Sequence, residues 1–197
     1  MIYDKFANGY DCALAPFEKR FLEKWRRETL SHLPENAEIL EIGAGTGANF
    51  PFYPPSKHAV ASEISRKMLE KAREKLNGET NFVNFIQNNA ETLPFAENSF
   101  DAAFATLVFC SLEKPGNAFL ELKRIVRPSG KIVLLEHVRP PGISGYLFDF
   151  LNIFTSALIA DCFNRETAKL AQDAGLKILN VKKKAFGIVN LIVCENV

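Results

Sequence analysis

The sequence predicts an α/β protein built on a mostly parallel sheet, and three observations predict it. Short apolar strands alternate with amphipathic helical stretches along most of the chain. A glycine-rich turn, Gly43-Ala44-Gly45-Thr46-Gly47, follows directly on one of those strands. Residues 131–137 hold an unbroken apolar run, Ile132-Val133-Leu134-Leu135, as expected of a strand covered on both faces.

Residues 17–30 read as an amphipathic helix, with Phe17, Phe21, Leu22 and Trp25 at helical spacing and basic and acidic residues around the rest. Pro34 stops it. Residues 38–42 form a strand that runs into the glycine turn, with a helix expected beyond the turn. A second strand, 58–63, leads to a helix over about 65–76 that Ser65 caps and Gly78 ends, with Met68, Leu69, Ala72 and Leu76 as its stripe. Strands at 81–86 and 100–106 flank a loop over 88–98, and a helix follows at about 115–126. The cluster Arg127-Pro128-Ser129-Gly130 breaks the chain before the strand 131–137. A helix starting at Asn164-Arg165-Glu166 closes at Gly175, and strands 177–183 and 188–195 finish the chain.

With 197 residues and no internal repeat, low-complexity tract or linker, one domain is expected. A net charge of +1 removes the electrostatic argument for a nucleic-acid binder, and 47% hydrophobic with 24% charged residues excludes a disordered chain. Cys12, Cys110, Cys162 and Cys194 are scattered without metal-ligand spacing, so no metal site is expected and a reducing compartment is. The N-terminus lacks an apolar signal region and no apolar run is long enough to span a membrane, so the expected location is cytoplasmic. The compositional oddity is 17 Phe against four Tyr and one Trp.

The glycine turn lies where open α/β sheets bind ligands, and glycine lets a ligand approach the backbone with no Cβ in the way. Its spacing is G-x-G-x-G, with Ala48 next, so alone it stands between a dinucleotide and another adenosine cofactor. Glu63 ends the second strand 20 residues after Gly43, where a carboxylate accepts hydrogen bonds from ribose hydroxyls. Glu41, two residues before the first glycine, sits poorly beside a pyrophosphate but suits a cationic amino-acid moiety.

Five segments in order carry a resemblance that spans most of the chain. They are Glu41-x-Gly43-x-Gly45-x-Gly47, Glu63, Asn89-Ala90-Glu91-x-Leu93-Pro94-Phe95, Phe100-Asp101 followed by 102–110, and Arg124-Ile125-Val126-Arg127-Pro128-Ser129-Gly130. Together they resemble class I S-adenosylmethionine (SAM)-dependent methyltransferases of type 11, including those acting on ubiquinone or menaquinone precursors and on phospholipid amines. The resemblance implies a Rossmann-like, seven-stranded, mostly parallel sheet with helices on both faces and the last strand antiparallel. It implies SAM as cofactor, held by Glu41 at its methionine end, by Gly43, Ala44, Gly45 and Gly47, and by Glu63 and Ile64 at the ribose. Asn89 and Ala90 would line the adenine, with Thr106 and Leu107 at the exit of the fourth strand. Asn89 stands where the family usually has Asp; an amide still accepts through its oxygen and donates through its nitrogen.

Tyr3-Asp4-x-x-Ala7-x-x-Tyr10-Asp11 resembles an N-terminal segment that folds over SAM as a lid, which makes Tyr10 a cofactor contact. The expected organisation is a single domain over 1–197, with a helical lid at 1–33 and an acceptor-recognition insertion at 138–165. From Ile143 to Phe163, 14 of 21 residues are apolar, and only Asp149 and Asp161 are charged. That stretch reads as a core helix, as a lid over an apolar acceptor, or as a surface meeting a membrane or another subunit. Leu134-Leu135-Glu136-His137-Val138 and Asp161-Cys162-Phe163-Asn164-Arg165-Glu166-Thr167 are similar to thiol methyltransferases, so the acceptor is expected to be small and lipophilic. The reaction implied is direct displacement on SAM without a metal, with His137, Tyr10 and Asp161 as candidate bases. A SAM-binding regulatory module and an NAD-dependent oxidoreductase are the alternatives, and the oligomeric state is open.

Overall fold

Seven short strands assemble in the order β3-β2-β1-β4-β5-β7-β6. They are β1 (Glu38–Ile42), β2 (His58–Glu63), β3 (Val83–Gln87), β4 (Phe100–Thr106), β5 (Val126–His137), β6 (Leu176–Lys184) and β7 (Val189–Asn196). All neighbours from β3 to β5 pair in parallel, and β7 runs antiparallel to both β5 and β6. The computed structural model describes Asp4, Asp11, Ala15, Pro16 and residues 18–76, 83–139 and 165–197. Tyr10, Asp161 and the apolar stretch from Ile143 to Phe163 lie outside the described residues.

Strand alternation sends each apolar set to one of two helix layers. Helices α3 (Pro115–Ile125) and α4 (Thr167–Asp173) cover one face, where Phe119, Leu122 and Ala171 meet Leu40, Ile42, Ile132, Leu134 and Ile192. Helices α1 (Glu23–Leu30) and α2 (Arg66–Lys75) cover the other, where Leu30 and Ala72 meet Ile39, Phe104, Val133 and Leu135. The chain leaves β1 toward β2 on one side, and β4 pairs on its other side, so the glycine turn occupies the switch point of the sheet. Ser65 caps α2 as its spacing predicts, its hydroxyl accepting from the Met68 amide.

Three local expectations need correction. The helix expected after the glycine turn is absent; the chain passes through turns into a 3₁₀ turn at Phe50–Phe52. Pro51 sits inside that turn and Pro54 and Pro55 follow, so no backbone ladder can extend. The stretch expected as one helix over 17–30 opens with a π-helical turn, Glu18–Leu22, before α1. The buried stripe runs through Leu22, Arg26, Thr29 and Leu30 at α-helical spacing, and Phe21 is exposed. Finally, residues 127–130 interrupt the ladder without ending it. Val126 already pairs with Phe100, Lys131 resumes beside Ala102, and Ser129 takes the left-handed φ of 64° that the excursion demands.

Candidate active site

The carboxyl ends of β1, β2 and β4 open into a cavity of about 320 Å³. Its wall includes Gly43 to Thr46 of the glycine turn, Ser62, Glu63 and Ile64 at the end of β2, Asn88 to Glu91 after β3, and Thr106 to Val108 at the end of β4. Of the residues expected at a cofactor, Gly43, Ala44, Gly45, Glu63, Ile64, Asn89, Ala90, Thr106 and Leu107 meet at this one wall. They converge because parallel strands place their exits side by side.

Glu63 is 8% exposed and anchors the turn. Its Oε2 accepts from the Gly45 amide at 2.9 Å and its Oε1 from the Ser65 amide at 2.8 Å. Burial raises its pKa above the ordinary carboxylate value, while the amides of Ser65, Gly45 and Ile64 pull it back. The Ala44 amide donates to Ser62 O and the Gly47 amide to Ala44 O. With Gly45 committed to Glu63, three amides of the turn are already spent within the protein, and no α-helix begins behind them. A pyrophosphate would meet three turn amides already donating and would lack the helix N-terminus that holds it in a dinucleotide site.

Glu41 lies elsewhere. It is fully buried, outside the cavity wall, on the face that packs against Tyr53 and Phe104. Asn49 Nδ2 donates to its Oε1 and the Tyr53 hydroxyl to its Oε2, so both oxygens are engaged by the protein. Burial pushes its pKa up to about 6 despite those bonds and the nearby Arg26 charge. Gly47 also stands back from the wall, and a Cβ there would strike the Phe50 ring.

The cavity wall after β3 carries an amide that motif alignment misses. Asn89 folds back, its Oδ1 accepting from the Glu91 amide at 2.9 Å. Asn88, one residue earlier, lines the cavity with both Nδ2 and Oδ1 buried and without a partner in the protein. The doubled asparagine was the sequence signal that either position could supply the amide. His137 ends β5, half-buried and outside the wall, with burial pushing its imidazole pKa down. Alternation places its neighbour Glu136 on the opposite face. Among the described residues no group of His, Cys, Asp and Glu is arranged to hold a metal ion.

Two ends of the N-terminal motif touch the cavity rim. Ser65 Oγ donates to Asp4 Oδ1 at 2.6 Å, and Thr46 Oγ1 donates to Asp11 Oδ1 at 2.6 Å, with Lys75 also paired to Asp11 at 2.7 Å.

Residues 40–134 match the methyltransferase domain family. The chain is 30% identical over 185 residues to the thiol S-methyltransferase TMT1B of Homo sapiens, covering 87% of this chain and 75% of that one. The chain belongs to the class I SAM-dependent methyltransferases. It is also 30% identical over 147 residues to the ubiquinone/menaquinone biosynthesis C-methyltransferase UbiE of Hahella chejuensis, covering 71% of this chain and 59% of that one. The fold superposes on a SAM-dependent methyltransferase from Thermotoga maritima with a TM-score of 0.75 at 21% identity, over 100% of this chain and 99% of that one.

SAM is the cofactor of this methyltransferase, and the wall fits it. Gly45 has a φ of +55°, and a Cβ added there would meet no protein atom within 4 Å, which leaves the cradle open to a ligand. At Gly43, φ +64°, the added Cβ would lie 2.5 Å from Val108 Cγ2. The two glycines therefore separate by substitution. Gly43→Ala should chiefly destabilise the fold, by about 2 kcal/mol from overpacking and a strained φ, seen as a lower unfolding midpoint. Gly45→Ala should cost about 1 kcal/mol in stability yet weaken SAM binding by about tenfold or more in calorimetry, because its methyl group occupies ligand space.

Proposed function

We propose that this methyltransferase acts on a small, largely apolar acceptor, with thiols as the first class. The observation that carries the reading is the similarity to the human thiol S-methyltransferase over 87% of the chain, against 71% for the quinone-precursor enzyme. SAM brings a methyl group that its sulfonium already makes electrophilic, so the work left to the protein is alignment and exclusion of water.

On this reading Glu63 accepts from the ribose hydroxyls, while the turn amides hold its carboxylate in place. Asn88 reads the adenine edge, since its unpartnered amide can donate to a ring nitrogen and accept from the exocyclic amine. The N-terminal segment is the lid, tied to the rim through Asp4–Ser65 and Asp11–Thr46. Tyr10, Asp161 and most of the 138–165 insertion lie outside the described residues, and His137, Tyr10 and Asp161 remain the candidate bases.

Incubation with methyl-labelled SAM, separately with an aliphatic thiol, a quinone precursor and a phospholipid amine, tests the reading. Label on the thiol is the expected result. Label only on the quinone precursor or the amine replaces the acceptor class. Saturable SAM binding with no labelled product from any of them would support a regulatory SAM-binding module instead. Tight NAD binding without SAM binding would overturn the cofactor assignment.

A further inference from the structure

We infer that Arg26 receives the carboxylate of SAM, setting the methionine end of the cofactor against the exit of β4. The inference rests on SAM occupying the cavity described above. Arg26 belongs to α1, a helix whose charged residues read from the sequence as a solvated face, yet it is 5% exposed and forms part of the cavity wall. A buried guanidinium is costly unless paired, and this one is held from three sides. Its Nη1 donates to Thr106 Oγ1 at 2.6 Å and to Asn49 Oδ1 at 3.0 Å, and its Nε donates to Glu18 Oε1 at 2.8 Å. The Nη2 contact with Glu18 Oε2 is longer, 3.3 Å. A guanidinium carries five N–H donors, so among the described residues one on Nη2 remains unassigned.

Direction follows from the sheet. Glu63 ends β2 and Thr106 ends β4, with β1 and its glycine turn between them. A ligand with its ribose at Glu63 that crosses the turn arrives at Thr106 and Arg26 with its other end. That end of SAM is an amino acid whose carboxylate is the one anionic group of the molecule. Among the described wall residues Arg26 is the sole Lys or Arg, set against Glu63, Glu91 and Glu113. Backbone competition is weak, because the amides of Ala44, Gly45 and Gly47 are already donating.

Glu41 then acts at one remove. Asn49 donates through Nδ2 to Glu41 and accepts through Oδ1 from Arg26, so the buried carboxylate orients the amide that orients the guanidinium. That makes Glu41 a positioning residue for the end of SAM where the sequence expected a direct contact.

Calorimetric titration with SAM and with decarboxylated SAM, which keeps the sulfonium and the ammonium but lacks the carboxylate, tests the assignment. The wild-type protein should prefer SAM by about tenfold to a hundredfold, the range expected of a charge-assisted hydrogen bond. Arg26→Gln should collapse that preference to within about twofold, mainly by weakening SAM, and Arg26→Lys should retain part of it. A wild-type protein that binds both compounds equally would overturn the inference. So would an Arg26→Gln protein that loses both affinities alike and keeps the ratio, since that is how a purely structural arginine behaves. Should Arg26→Gln fail to fold, the wild-type ratio and its reduction in Arg26→Lys decide the matter. Failure of the wild-type protein to bind SAM at all would instead count against the cofactor reading.

Discussion

Glu63→Ala should weaken SAM binding by at least about tenfold in calorimetry, because the carboxylate combines two tasks that no neighbour can take over. It fastens the amides of Gly45 and Ser65, and it faces the cavity with its remaining lone pairs. Glu63→Gln should lose affinity too, since a glutamine turns an NH₂ toward one of the two amides and opposes donor with donor. Acid should mimic these variants. Burial raises the Glu63 pKa above the ordinary carboxylate value, so its charged form is depleted as pH falls to that raised value. SAM affinity should decline at a higher pH than an exposed glutamate would give. An affinity unchanged in Glu63→Ala would refute the ribose role.

Glu136→Gln should stabilise the fold at alkaline pH. Glu136 is fully buried beside the loop after β4, where the Val108 amide donates to its Oε1 at 3.0 Å and its Oε2 has no partner. Burial pushes its pKa up to about 7, although the amides of Val108, Phe109 and Cys110 and the Arg165 charge pull the other way. The folded chain thus holds a proton that the unfolded chain releases near the ordinary carboxylate value. Its stabilising contribution is complete below that ordinary value and is lost as pH rises through about 7. The loss by about pH 8.5 is roughly 3 kcal/mol, because each pKa unit is worth about 1.4 kcal/mol. Glutamine keeps an oxygen for Val108 and cannot ionise, so it removes the titration. Thermal unfolding should show the variant several degrees above wild type at about pH 8.5, the gap closing toward about pH 5. A gap that does not change with pH would show that Glu136 does not titrate in this range. Glu41, with its pKa pushed up to about 6, adds to the wild-type loss with the same sign.

Much of the fold was legible because it is written locally. The strands at 38–42, 58–63 and 100–106 appear with those bounds, and Ser65 caps its helix as its position foretold. Misreadings gathered where local pattern yields to context. Phe21 and Trp25 announce an α-helical stripe, but the packed face runs through Leu22, Arg26 and Thr29 and leaves Phe21 exposed. Gly47 implies a helix start, but Pro51 and the prolines after it allow only a 3₁₀ turn. The first outcome depends on which face the sheet packs, and the second on prolines that apolar periodicity ignores.

The cofactor site divides along the same line. The sequence by itself determined that a glycine turn and an acidic strand end meet on a parallel sheet, because both occupy strand ends that topology must bring together. Phenylalanine, the compositional excess, proved largely architectural among the described residues, with Phe104, Phe109 and Phe119 wholly inside. Only the tertiary structure decided the polar wiring: Asn88 rather than Asn89 with its amide free, Glu41 closed off by Asn49 and Tyr53, and Arg26 in the wall. The Arg26–Thr106 bond joins residues 80 positions apart. A sequence pattern assigns a charge to solvent by default, and only the assembled sheet supplies the buried partners that make a charge affordable inside.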